Sequence, residues 1–94
     1  MTKTEKLSFI NGIFKEKEAY EVLMTIFSTK IQFHKLKNFT SLERLGKEDK
    51  KALKRIVELQ KGIEKINNII SKAKAENKSL TITSEIFISL NDNN

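Results

Sequence analysis

Ninety-four residues suit a single domain, and 38% hydrophobic against 32% charged residues suits elongated helices with one buried stripe better than a compact globule. The absence of cysteine excludes disulfides and thiolate metal sites, and no apolar run approaches the roughly 20 residues that span a membrane. A net charge of +6 invites a nucleic-acid reading, yet sixteen of the eighteen basic residues are lysine; only Arg44 and Arg55 offer the bidentate fork suited to bases and phosphates.

Residues 1–6 are polar and expected to fray. Residues 7–14 read as a strand, with Leu7, Phe9 and Ile13 on one face and Ile10 and Phe14 on the other. Asn11-Gly12 within it signals either a type I′ hairpin turn or a bulge, and arms of only about four residues favour one bulged strand. The same stretch is too short and broken for a signal peptide, so the expectation is a cytoplasmic protein.

A first helix is predicted over residues 16–37. Glu16, Glu18 and Glu21 crowd its first turns, where negative charge complements the helix dipole. Tyr20, Leu23, Phe27, Ile31 and His34 form one stripe; Ala19, Val22, Ile26, Phe33 and Leu36 form a second beside it, so the helix is apolar over a wide arc. Residues 38–46 read as a connection, with Thr40 or Ser41 capping a short turn and Gly46 suited to a left-handed stop.

The second helix is predicted over residues 47–76 and carries the clearest pattern in the chain. Ala52, Ile56, Leu59, Ile63, Ile66, Ile70 and Ala73 recur at 4-3-4-3 spacing, a narrow seam that must face another helix. Gly62 lies beside this seam, either because the helices approach closely there or because an exposed glycine is tolerated. Glu48 and Asp49 fall in the expected first turn and Lys72 and Lys74 in the last, and Asn77 marks the stop. Residues 80–90 alternate as a strand, with Leu80, Ile82, Ile86, Ile88 and Leu90 on one face and Thr81, Thr83, Glu85, Phe87 and Ser89 on the other; residues 91–94 are a polar tail.

The order is therefore β-α-α-β, an α+β fold in one domain. Helices joined by a short connection run antiparallel, so the first strand enters and the second leaves at the same end, and the terminal strands pair antiparallel. Two strands alone are marginal in water, and the unprotected edge together with the spare arc of the first helix points to completion by homodimerisation.

Chemistry is sparse. His34 is the only histidine; no second histidine or cysteine completes a zinc site and no EF-hand spacing is present, so no metal or cofactor is expected. Three glycines supply no phosphate-cradling loop, and no serine stands in a nucleophile elbow. His34, Asn38, Glu43 and Arg44, with Thr40 and Ser41, make the densest cluster of mixed polar groups and are the candidate partner-binding residues; the structural alternative is capping and solvation. On the second helix Lys47, Lys54 and Lys61 recur every seven residues, flanked by Lys51, Lys65 and Lys72, opposite the seam. This face is able to track a phosphate backbone, but Glu58 and Glu64 interrupt it and no aromatic side chain is interleaved for stacking. The reading is a small, non-enzymatic, homodimeric binding or scaffold protein of unidentified partner, with non-specific nucleic-acid binding through the lysine face as the alternative.

Overall fold

The computed structural model describes residues 3–92; the outermost residues of the two polar ends, 1–2 and 93–94, lie outside the described residues. Four elements follow one another: β1 (Thr4–Phe14), α1 (Glu16–Leu45), α2 (Lys50–Ala75) and β2 (Leu80–Ser89). The helices form an antiparallel hairpin, and β1 and β2 pair antiparallel in a two-stranded ribbon at its open end. The fold is α+β in the order β-α-α-β.

α1 runs to Leu45 rather than stopping near residue 37, and the connection contracts to Gly46–Asp49. No glycine or proline interrupts residues 16–45, and the polar residues expected to break the helix instead fasten the turn beyond it. The Asp49 N–H donates to Asn38 Oδ1 at 2.7 Å, and Ser41 Oγ donates to the Lys47 carbonyl at 2.7 Å. Gly46 ends the helix in the left-handed conformation, φ 66°, with its N–H donating to the Leu42 carbonyl at 3.0 Å. α2 then starts at Lys50, later than expected, because Asp49 is its N-cap: its carboxylate accepts from the Ala52 N–H at 3.0 Å. Glu48 and Asp49 thus precede the first turn.

The far end of α2 stops where expected. Asn77 adopts φ 52°, the Lys78 N–H donates to the Ala73 carbonyl at 2.8 Å, and the Asn77 N–H reaches the Lys74 carbonyl at 3.3 Å. This paired arrangement satisfies the last carbonyls and turns the chain into β2.

The predicted seam lies between the helices. Ala52, Ile56, Leu59 and Ala73 of α2 are buried, and Ile63, Ile66 and Ile70 are half-buried. α1 answers with Ala19, Ile31 and His34, all buried, and with Leu23 and Phe27, half-buried. Ile31, Ile56 and Leu59 form the central cluster, flanked by Phe27, Leu53 and Ile63. Gly62 marks a close approach: a Cβ placed there would stand 2.7 Å from Cε2 of Phe27.

β1 begins at Thr4, earlier than expected, because the ladder continues to Thr4 opposite Ser89, whose hydroxyls lie 2.7 Å apart. No hairpin forms at Asn11-Gly12, which pair with Thr83 and Ile82. The bulge lies nearer the N-terminus, where the register steps from Ser8 opposite Glu85 to Ile10 opposite Ser84, leaving Phe9 as the extra residue. That step reverses the alternation, so Leu7, opposite Ile86, shares a face with Ile10 and Phe14 rather than with Ile13, which stands opposite Thr81 on the other face. One ribbon face thus reads Leu7, Ile10, Phe14, Leu80, Ile82, Ile86 and Ile88. Its inner part is half-buried over Leu23, Ile66 and Ile70, while Leu7, Ile86 and Ile88 stay exposed.

The close approach at Gly62 gives a prediction. Gly62→Ala gains helix propensity but forces the Phe27 ring aside, so it lowers stability by about 1–3 kcal/mol. In a Phe27→Leu background the same change raises stability by about 1 kcal/mol. Urea denaturation of the four chains of this cycle checks it; equal effects of Gly62→Ala in both backgrounds would contradict the close approach.

Candidate interaction surface

The candidate partner-binding residues occupy different surroundings. His34 and Asn38 point into the hairpin, His34 buried and Asn38 holding Asp49, whereas Glu43 and Arg44 are exposed on the last turn of α1. Neither ring nitrogen of His34 has a hydrogen-bond partner among the described residues. Its imidazole is held below its ordinary pKa of 6.5, first by desolvation, then by the positive charges of Lys30, Arg55 and Lys37, against a weaker opposing pull from Asp49. No group of three His, Asp or Glu side chains converges among the described residues, and no helix there is long and apolar enough to cross a membrane.

The lysine face divides at the N-cap. Lys51, Lys54, Lys61, Lys65 and Lys72 project from α2 and are exposed, while Lys47 lies in the connection before the helix. Lys72 stands 4.0 Å from Glu76, and the neighbouring Arg55 pairs with Glu58 at 2.6 Å. Lys51, Lys54, Lys61 and Lys65 have no ion-pair partner among the described residues.

Large apolar side chains are also left uncovered. No large side chain is fully buried among the described residues. On α1, Phe33 is 52% exposed, Leu36 64% and Phe39 58%. On the ribbon, Leu7 and Ile88 are each 51% exposed. Phe9, thrown toward α1 by the bulge, shares an open groove of about 460 Å³ with Ile26, Phe27 and Phe33, and Lys30 Nζ lies 4.8 Å over the Phe33 ring. Sequence reasoning marked Phe33 and Leu36 as a second stripe but missed Phe39, Leu42 and Leu45, because they fell in a stretch read as a connection. The signal was present: the 3-4 spacing of the α1 stripe continues from Ile31 through His34, Asn38 and Ser41, only with polar residues.

The chain presents 8024 Å² of accessible surface, about 2,400 Å² more than the roughly 5,600 Å² of a compact monomer of this mass. Its radius of gyration is 17.0 Å, where about 12 Å is usual for this length, and its dimensions are 50 × 37 × 14 Å. Compared with protein-family models, curated proteins and solved structures, the chain finds no significant match.

His34 supplies a pH prediction. Because its native pKa is lowered, the unfolded chain takes up the proton first as pH falls. Its neutral-state contribution is complete above about pH 6.5 and is lost as pH drops below that value toward the native pKa. His34→Leu removes the unpartnered nitrogens and is expected to raise the melting temperature and flatten its fall between about pH 7 and pH 5. Thermal melts across that range check it, and a parent curve no steeper than the variant's would contradict the burial of a neutral imidazole.

Proposed function

We propose that this chain works as a non-enzymatic binding or scaffold protein and does so as a homodimer. The observation that carries the reading is the excess accessible surface, about 2,400 Å², beside the roughly 800 Å² per partner that a standard interface buries. The excess includes large apolar side chains on both α1 and the ribbon, where a self-sufficient monomer keeps such patches to a few hundred Å².

A second reading has its own observation. Five lysines from Lys51 to Lys72 follow one line along α2, spanning about 32 Å at the helical rise. Such a line suits non-specific contact with nucleic-acid phosphates, with Lys47 extending it from the connection.

Light scattering coupled to size exclusion tests the first reading: the expected mass at micromolar concentration is twice that of the chain, and a stable monomer overturns it. Fluorescence anisotropy with a labelled duplex separates the second. Binding that weakens steeply between about 0.05 and 0.2 M salt, and is lost when Lys54, Lys61 and Lys65 become glutamate, would transfer the function to the lysine face. The homodimeric reading expects no such binding at about 0.15 M salt.

A further inference from the structure

Two uncovered apolar surfaces look toward each other's level. The ribbon face that packs inward through Leu80 and Ile82 continues outward through Ile86 and Ile88, with Leu7 beside them, where no helix of the same chain lies beneath. The side of α1 that meets the ribbon at Phe9 continues through Phe33 toward Leu36, where no ribbon lies above. The first surface faces the level of the helices, and the second faces the level of the ribbon.

We infer that a second copy of this chain supplies the missing cover, each outer ribbon lying across the Phe33–Leu36 stretch of the other copy's α1 in a reciprocal clasp. The inference rests on the homodimeric reading and specifies its interface. A two-fold axis along the normal from hairpin to ribbon keeps both facing directions, so one rotation covers both surfaces twice, as an isologous interface requires. Charge agrees with this placement: Glu5 shares the outer ribbon face with Leu7, and Lys30 and Lys37 flank Phe33 and Leu36.

The competing modes leave more uncovered. A four-stranded sheet joined edge to edge pairs backbone but leaves the apolar ribbon face and Phe33 in water. Hairpin packing through Phe39 and Val57 leaves the ribbon unsupported, and an isolated two-stranded ribbon is marginal in water. The clasp is the arrangement that supports the least self-sufficient element.

The chain has no cysteine, so single-cysteine variants report proximity cleanly. Leu36→Cys and Ile88→Cys chains are mixed in equal amounts, allowed to exchange, and treated with a short bis-maleimide. The clasp expects the 36–88 product to dominate over 36–36 and 88–88, as read by mass spectrometry. It also expects Ile88→Asp to weaken dimerisation at least about 10-fold in sedimentation, with Phe39→Asp unchanged. A dimer by light scattering that yields 36–88 no more than the like-with-like products, or that is weakened by Phe39→Asp and not by Ile88→Asp, overturns the clasp and leaves the homodimer standing. A parent chain that is monomeric overturns both.

Discussion

Ile31 of α1 meets Ile56 and Leu59 of α2 midway along the hairpin, and no other cluster of buried large apolar side chains is present among the described residues. The rest of the structure depends on this strip. The strip is narrow because α2 offers one apolar stripe and lysines behind it, so the two helices form a single layer. Small residues set the spacing at the open end, where Ala19 and Ala73 are both buried. Polar residues set it at the closed end, where Asn38, Ser41 and Asp49 fasten the turn. With the helices so aligned, Phe14 and Leu80 emerge side by side, and antiparallel pairing of the strands follows from their positions.

A single-layer hairpin has a cost. Each helix buries one side, and a ribbon of two strands covers only part of what remains. Burial of large apolar side chains is the main favourable term in folding, on the order of 1.5–3 kcal/mol for each one fully buried. Here most such side chains are half-buried or exposed, including Phe33, Leu36 and Ile88. The architecture is thus well defined in its backbone and undersupplied in its core, and that imbalance is what the proposed assembly would relieve.

The residues that repeat were the readable ones. The heptad from Ala52 to Ala73 located α2 and its buried side, Asn77 located its end, and the alternation from Leu80 located β2; together they fixed the order and the antiparallel pairing. Two features were misplaced and one was left open, for physical reasons. α1 continues past residue 37 because Asn38 and Ser41 spend their polar groups on the following turn, so residues that favour loops by composition stand in a helix. The bulge in β1 falls at Phe9 rather than at Asn11-Gly12, because its position is set by ladder pairing, which a single strand's pattern does not encode. Gly62 was ambiguous until the Phe27 ring was placed against it. Of the candidate binding residues, His34 had a legible position on the inner stripe, whereas Asn38 was read into the connection because its partner, the Asp49 N–H, lies across the turn, beyond the reach of local spacing.

The central claim is that one copy of this chain does not bury enough apolar surface to stand alone. Equilibrium urea denaturation at several protein concentrations, followed by circular dichroism, tests it most directly. If folding and association are linked, the midpoint rises steadily as concentration increases. A midpoint independent of concentration over about two decades, with the chain fully folded at the lowest, would contradict the account.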